Sequence, residues 1–163
     1  IAVVGSRQVE PAGAAVAGET GRAAASAGRT LISGSARGDD QLAMNAAFQT
    51  GGTVIGVLGD SLTQRLRSSD ILSALDGGRT CLMTQQHPDA GFSVSAAMAR
   101  NKLIYALADA ALVVSSDLNK WGGGDGAVAG AQPRVLSGSP RDRRAAHGVS
   151  PSIGSTASTS VNK

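Results

Sequence analysis

The chain has 163 residues, of which 42% are hydrophobic and 2% aromatic, with one cysteine and a formal net charge of +3. This length predicts one domain with its own core, the single cysteine excludes an internal disulfide, and no apolar run approaches the roughly 20 residues that span a bilayer. Residues 1–132 carry ten Lys/Arg against eleven Asp/Glu, and residues 133–163 carry five against one. The basic balance belongs to the tail, so the high isoelectric point is weak evidence for nucleic-acid binding.

Apolar, β-branched runs alternate with helix-favouring segments along the chain. In chain order, the predicted elements are a strand at Ile1–Val4, a helix at Ala12–Ala27, a strand at Thr30–Ile32, a helix at Asp40–Thr50, a strand at Thr53–Leu58, a short helix at Ser69–Leu75, a strand at Thr80–Thr84, a helix from Ser93 or Ser95 to Leu107, and a strand at Ala110–Val114. This alternation indicates a doubly wound, mostly parallel sheet with right-handed crossovers. We therefore predict an α/β, Rossmann-like fold.

The pattern weakens after Ser115. A glycine turn occupies residues 121–126, and Arg134–Leu136 is a last short strand by its apolar content. From residue 137 onward Ser, Thr, Gly, Pro and Arg dominate, which is typical of a segment without a packed core. We predict a Rossmann-like domain at residues 1–138 and an irregular or disordered tail at residues 139–163.

Cys81 lies in the apolar run of the fourth predicted strand, which indicates a buried thiol. A lone cysteine fits a reducing compartment, so we expect a cytoplasmic protein. Cys81, His87 and His147 have no metal-ligand spacing, and no Gly-x-Ser-x-Gly elbow is present. We predict no metal or cofactor, and the sequence identifies no catalytic residue.

The loop from Ser33 to Asp40 joins the second predicted strand to the second helix. Gly34 and Gly38 bracket a turn at a helix start, where backbone N–H groups can bind an anion such as a phosphate. Arg37, inside the turn, adds a permanent charge and a planar fork of donors. A tight turn with a solvated arginine is the alternative interpretation.

Several cations are predicted to lie at one edge of the sheet. Arg7 follows the first strand, Arg37 follows the second and Lys120 follows the fifth, while Arg100 and Lys102 lie in the helix after the fourth. Ligands of open α/β sheets bind beyond the carboxyl ends of the strands. The basic edge therefore fits a polyanion or a nucleotide phosphate.

Two further groups of residues could contribute to the same cleft. Asp39, Asp40 and Asp60 could line it, although capping a helix or a turn is the commoner role of such residues. Aromatic side chains that stack on bases are common in proteins that bind single strands. Outside the expected core, the chain offers Phe92 and Trp121 for this role.

With these residues in view, the chain resembles the Rossmann-like domain of DNA-processing protein A, the DprA/Smf family. The matching pieces come in that family's order and are Gly5-Ser6-Arg7, Ser33-Gly34-Ser35-Ala36-Arg37-Gly38-Asp39-Asp40, the glycine–strand segment at residues 51–59, and Arg100-Asn101-Lys102-Leu103-Ile104 with Leu107-Ala108-Asp109-Ala110. The resemblance covers about residues 1–115. It implies a domain that binds single-stranded DNA, helps to load a recombinase onto it and forms a homodimer, with no membrane association and no established catalytic step.

The resemblance also implies a set of phosphate-binding residues. They are Gly5, Ser6, Arg7, Ser33, Gly34, Arg37, Gly38, Arg100, Asn101 and Lys102. Three positions depart from the family pattern: Asp39 replaces a hydrophobic residue, Met44 replaces a histidine and Lys102 replaces an arginine. The departure at Asp39 predicts an acid close to the pocket and to Arg37.

The same superfamily contains phosphoribohydrolases of the LOG type and proteins that sense nucleotide derivatives. The glycine turn at residues 122–126 resembles the Pro-Gly-Gly-x-Gly-Thr-x-x-Glu signature of the LOG type, but no Glu follows it. A hydrolase acting on nucleoside monophosphates, or a nucleotide-binding protein, is therefore the alternative to single-strand binding.

Overall fold

The computed structural model describes residues 1–114 and 134–137, and these form a six-stranded parallel sheet flanked by helices. In chain order the elements are β1 (Ala2–Val4), α1 (Pro11–Ser26), β2 (Leu31–Ser33), α2 (Asp39–Gln49), β3 (Val54–Leu58), α3 (Leu62–Arg65), α4 (Ser69–Asp76), β4 (Thr80–Thr84), α5 (Val94–Ala106), β5 (Ala110–Val113) and β6 (Arg134–Ser137). The strand order is β4-β3-β2-β1-β5-β6, and every neighbouring pair is parallel. The predicted α/β, doubly wound, Rossmann-like fold is confirmed.

The sheet is buried on both faces because successive strand residues point to opposite sides. On one face, Val3 and Leu31 pack with Ala17 of α1 and Met44 of α2. On the other face, the residues that pack together are Ala2, Val4, Ile32, Val57, Ile104, Tyr105 and Ala111, of which Ile104 and Tyr105 belong to α5. Small residues let α1 and α2 approach closely, since a Cβ at Gly21 would overlap the carbonyl oxygen of Ala43.

The helix starts follow local sequence signals. Pro11 occupies the first turn of α1, where its missing N–H costs no hydrogen bond. Ser93 caps α5, because its hydroxyl oxygen accepts a hydrogen bond of 3.1 Å from the backbone N–H of Ala96. This cap resolves the choice between Ser93 and Ser95 that the sequence left open.

Two differences from the sequence analysis concern the chain after β3. Residues 62–65 form a short additional helix, α3, which the mixed composition of this segment does not reveal. Cys81 is exposed, so the prediction of a buried thiol is wrong. Its strand, β4, is the edge of the sheet and pairs only with β3 in the described part of the chain, which leaves one flank open to solvent.

The predicted strand at residues 134–136 corresponds to β6, which pairs with β5. The glycine turn at residues 121–126 and the tail at residues 139–163 lie outside the described residues. Within residues 1–114 and 134–137, no helix has the length and apolar character needed to cross a bilayer.

Arg79 contacts the end of α2, and its replacement tests how much this contact stabilises the fold. Its Nη1 donates hydrogen bonds to the carbonyl oxygens of Phe48, at 2.9 Å, and Gly52, at 3.4 Å, and its guanidinium lies 4.3 Å from the centroid of the Phe48 ring. We expect Arg79→Ala to lower the free energy of unfolding by about 1–2 kcal/mol, because two carbonyls lose a charged donor and the ring loses its cation. Urea denaturation followed by circular dichroism measures this loss, and Arg67→Ala, at an exposed position, is the control. Equal losses in the two variants would contradict the assigned role.

Candidate functional site

A cavity of about 480 Å³ opens at the carboxyl ends of β1, β2 and β3. Its lining residues come from the loops after these strands, from α3, from the segment between β4 and α5, and from α5 itself. They are Arg7, Gly34, Ala36, Arg37, Gly59, Asp60, Arg65, Phe92, Ala97 and Arg100. This edge of an open parallel sheet is where ligands bind in doubly wound folds. The volume lies in the range of small-molecule sites.

The loops after β1 and β2 are joined by two adjacent aspartates at the start of α2. Asp39 Oδ2 accepts a hydrogen bond of 3.1 Å from the backbone N–H of Ser6, and Asp40 Oδ1 accepts one of 3.1 Å from that of Gly5. The backbone N–H of Asp39 in turn donates to the carbonyl oxygen of Ser6 at 3.2 Å. Gly38, with φ of +96°, lies so close to this carbonyl that a Cβ would overlap it. The loops after β1 and β2 are therefore joined by three hydrogen bonds and a close backbone contact.

This arrangement changes the interpretation of the glycine turn. The backbone N–H groups of Gly5, Ser6 and Asp39 bond to atoms of the protein itself. The carboxylates of Asp39 and Asp40 thus occupy the place near the helix start where an external anion was expected. These three N–H groups are therefore not donors for an anion in the cavity, whereas the arginine side chains that line it are.

Arg100 and Asp40 form a buried ion pair beneath the cavity. Arg100 Nη2 lies 3.7 Å from Asp40 Oδ2, and the two side chains are only 9% and 5% exposed. Arg100 Nη1 also donates to the carbonyl oxygens of Gly34 and, at 3.0 Å, Val57. Burial raises the pKa of Asp40 and lowers that of Arg100, and the attraction between the two charges opposes both shifts.

Arg7 and Phe92 form one wall of the cavity. The Arg7 guanidinium lies 4.6 Å from the centroid of the Phe92 ring, and 51% of Phe92 is exposed. Such a pair offers flat surfaces on which a nucleobase can stack. Arg37 is exposed in the loop after β2 and lines the same cavity.

Asp60 and Arg65 form an ion pair at another part of the cavity wall. Arg65 Nη2 donates to Asp60 Oδ2 at 3.1 Å and lies 3.4 Å from the carbonyl oxygen of Ser35. Ser35 has φ of +52°, a left-handed backbone conformation that is uncommon for a serine. Ser61 caps α3, the helix that carries Arg65, by accepting from the backbone N–H of Gln64 at 3.1 Å.

The structure brings four of the ten predicted residues to the cavity: Arg7, Gly34, Arg37 and Arg100. The other predicted residues have different positions. Ser33 is buried and donates its hydroxyl to the carbonyl oxygen of Val3 at 2.6 Å, while Gly5, Ser6 and Gly38 form the junction between the two loops. Lys102 is exposed and Asn101 half-buried on α5, and neither is among the lining residues.

Lys102 lies away from the cavity because of helical geometry. Residues two apart on a helix point in nearly opposite directions, so Arg100 and Lys102 cannot both face the sheet. Asp39 lies next to the cavity but does not line it, since its side chain is fully buried beneath the loop after β1.

Sequence reasoning missed Arg65, because it treated the segment after β3 as mixed. The available signal was Ser61, a capping residue directly after the strand, which starts a short helix and places Arg65 one turn later. Asp60 and Phe92 were candidates, and both line the cavity.

The sequence profile of the family described as DNA recombination-mediator protein A matches residues 1–133. The chain belongs to this family. The predicted resemblance to the DprA/Smf family is therefore confirmed, and the match spans the whole cavity.

Solved structures of DNA processing protein A agree in fold. The protein from Helicobacter pylori, described with a unique single-stranded DNA binding mode, is 22% identical with a TM-score of 0.55, covering 69% of this chain and 51% of that one. DprA from Streptococcus pneumoniae is 22% identical with a TM-score of 0.57, covering 89% of this chain and 60% of that one. The chain thus spans between half and two thirds of the length of these two proteins.

The same fold also occurs in a protein of different function. The molybdenum cofactor binding protein from Rippkaea orientalis is 22% identical with a TM-score of 0.58, covering 83% of this chain and 73% of that one. No curated protein matched the chain. The glycine turn on which the phosphoribohydrolase alternative rests lies outside the described residues, so the structure adds nothing to that alternative.

Proposed function

We propose that this domain binds single-stranded DNA in DNA processing or recombination, through the cavity at the ends of β1, β2 and β3. The observation that carries the proposal is that four arginines, Arg7, Arg37, Arg65 and Arg100, line one cavity in a chain of the DNA recombination-mediator protein A family. Apart from these four arginines, the described residues carry six Lys/Arg against nine Asp/Glu. A local concentration of guanidinium groups is therefore a specific feature and not a consequence of overall composition.

The exposed and the buried arginines have different roles in this proposal. Arg7 and Arg37 are exposed and contact backbone phosphates, since guanidinium groups bind phosphate oxygens through two parallel hydrogen bonds. Arg100 is buried and paired with Asp40, so it holds the loop after β2 in place through the carbonyl oxygen of Gly34 and adds little net charge. Phe92, beside Arg7, gives a base a surface for stacking, which is how proteins bind single strands without reading every base.

Binding to a fluorescent oligonucleotide tests the proposal. We expect wild-type affinity to fall steeply between about 50 mM and about 200 mM salt, because phosphate contacts release counterions. Arg37→Ala should weaken binding about tenfold and make the salt dependence shallower, because one phosphate contact is lost. Arg22→Ala, on the exposed side of α1 and outside the cavity, removes the same charge as a control. Absence of wild-type binding at low salt, or equal effects of the two substitutions, would contradict the proposal.

Three further expectations belong to the same proposal. The family resemblance supports a recombinase as a partner, a homodimer as the assembly and the cytoplasm as the location. Co-sedimentation with a recombinase and light scattering test the first two directly. A nucleotide phosphate is the alternative ligand, because a cavity of about 480 Å³ is also suited to a single nucleotide.

A further inference from the structure

The end of the sheet that is formed by β4 is poorly buried. None of the five residues of β4 and none of the eight residues of α4 is buried, whereas four of the five residues of the neighbouring strand β3 are. α4 contacts β4 and carries the apolar residues Ile71, Leu72 and Leu75, of which Leu72 is 49% exposed. An amphipathic helix normally buries its apolar side. The described residues therefore leave β4 and α4 without a partner on their outer side.

β4 also lacks the features that protect most edge strands from pairing. Natural edge strands are shortened, bulged, or interrupted by charged residues and proline. β4 is as long as any strand in the described part of the chain, contains neither a charged residue nor a proline, and pairs with β3 at all five residues without a bulge. Its outer edge is thus a regular template to which a further strand can add.

The hydrogen bonding of β4 shows which of its backbone groups are available to such a strand. The carbonyl oxygen of Arg79, directly before β4, accepts a hydrogen bond of 2.9 Å from the backbone N–H of Val54 on β3. Backbone groups alternate in direction along a strand, so those of Cys81 and Met83 also face β3. The backbone groups that face the open edge belong to the other three residues of the strand, Thr80, Leu82 and Thr84.

We propose that the outer edge of β4 binds a second copy of this chain, antiparallel and about a two-fold axis at Leu82. In this register Leu82 lies opposite Leu82 of the partner copy, and Thr80 lies opposite the partner's Thr84, so every outward-facing residue exchanges hydrogen bonds. An axis at Cys81 or Met83 would leave one outward-facing residue of each copy without a strand residue opposite it. Because both copies use the same surface, the interface closes as a dimer and does not propagate.

The charges around β4 favour a second copy as the partner. In the proposed register Arg79 lies opposite the partner's Gln85, so no like charges meet across the seam. α4 runs antiparallel to β4 on one face of the sheet, with the exposed residues Arg67 and Asp76 at its two ends and Leu72 near its middle. The two-fold axis therefore places the α4 helices antiparallel to each other, so that each Arg67 is at the same end as the partner's Asp76 and the exposed Leu72 side chains lie nearest to the axis.

The single cysteine of the chain makes this register measurable. Cys81 would lie opposite the partner's Met83 in a non-hydrogen-bonded pair, whose Cα atoms are about 4.5 Å apart and within reach of a disulfide. The two Cys81 residues would be diagonal neighbours about 7–8 Å apart, which is too far for a disulfide. We therefore expect Met83→Cys, which keeps Cys81, to form a covalent dimer on mild oxidation, and the wild type to form none. Non-reducing electrophoresis measures the dimer, and mass spectrometry identifies the bridged residues.

Two further variants serve as controls for this disulfide. Thr84→Cys adds a thiol to the same strand but on the opposite face of the sheet from Cys81, so it should give no more covalent dimer than the wild type. Adding Cys81→Ser to Met83→Cys removes one thiol of each bridge and should abolish the covalent dimer.

Thr80→Pro tests the interface without an added thiol. The N–H of Thr80 faces the open edge, its buried hydroxyl has no hydrogen-bond partner among the described residues, and the first residue of an edge strand tolerates proline. We expect an unchanged circular dichroism spectrum and a dimer dissociation constant raised about tenfold or more, because the hydrogen bonds to the partner's Thr84 are lost. Analytical ultracentrifugation measures this constant, and an unchanged value overturns the inference.

The inference names the surface of the homodimer expected above, so it rests on that part of the proposed function and not on DNA binding. A wild type that stays monomeric contradicts both the homodimer and the β4 interface. A wild-type dimer in which Met83→Cys forms no more disulfide than Thr84→Cys keeps the homodimer but overturns the β4 interface. Slow hydrogen exchange at the Leu82 amide that does not depend on protein concentration means that another segment covers the edge, and this also overturns the inference. Oligonucleotide binding is measured separately and tests only the cavity.

Discussion

Asp40→Ala is expected to lower the free energy of unfolding by about 3–5 kcal/mol, the typical cost of leaving a buried charge without its partner. The substitution isolates the Arg100 guanidinium, whose side chain is only 9% exposed, and removes the acceptor for the backbone N–H of Gly5. Chemical denaturation in urea, with the slope checked for two-state behaviour, measures the loss.

Two controls show whether the buried charge is the cause. In Asp40→Ala/Arg100→Met both charges are absent, so most of the lost stability should return, and the double-mutant cycle should show strong coupling. Asp109→Ala breaks an exposed ion pair with Arg29, in which the side chains are 94% and 72% exposed, and should cost below about 1 kcal/mol. Comparable losses in Asp40→Ala and Asp109→Ala would contradict the buried pair.

The pH dependence of the free energy of unfolding of Arg100→Met is a second test of the Arg100–Asp40 pair. Burial raises the pKa of Asp40 in the folded state, and Arg100 opposes this shift. Because the pKa of Asp40 is raised, the folded state favours the protonated carboxyl. The stability that this protonation contributes to the protein is fully present below the ordinary pKa of 3.8 and is lost as the pH rises through the folded-state pKa. Without Arg100, we expect the stability deficit against the wild type to grow as the pH rises above the ordinary pKa of 3.8.

Gly38→Ala is expected to damage the site although it adds only one methyl group. The residue has φ of +96°, and a Cβ would overlap the carbonyl oxygen of Ser6 and press on Cα of Arg7. Both neighbours are backbone, so the loops after β1 and β2 must separate. We expect a loss of about 2–4 kcal/mol in the free energy of unfolding, together with weaker oligonucleotide binding, because Arg7 moves away from Arg37.

Gly51→Ala is the matched control for this prediction. Gly51 has φ of +89°, close to that of Gly38, but nothing lies within 4 Å of its added Cβ. It should therefore show only the cost of the left-handed backbone, about 1 kcal/mol, and unchanged binding. The difference between the two alanine variants isolates the contact between the loops. Equal effects would mean that backbone conformation alone accounts for both.

Asp39 and Asp60 show that the sequence alone did not decide which acidic side chain lines the cavity. Asp39 is only two residues from Arg37, and the sequence indicated that it could line the cleft or cap the helix. Its side chain instead lies beneath the loop after β1, because α2 begins there and turns its first residue inward. Asp60 and Arg65, from the loop and helix after β3, line the cavity.

The sequence by itself determined the layered α/β fold, because strands buried on both faces appear as continuous apolar runs and helices carry recognisable starts. It also determined that Arg7 and Arg37 share an edge, because the carboxyl ends of parallel strands lie on the same side of a sheet. Only the tertiary structure decided which polar groups bond to other groups of the protein and which face the cavity or solvent. Side-chain direction within a helix and contacts between distant loops place Arg100 against Asp40 and Lys102 in solvent, and no local pattern encodes these positions.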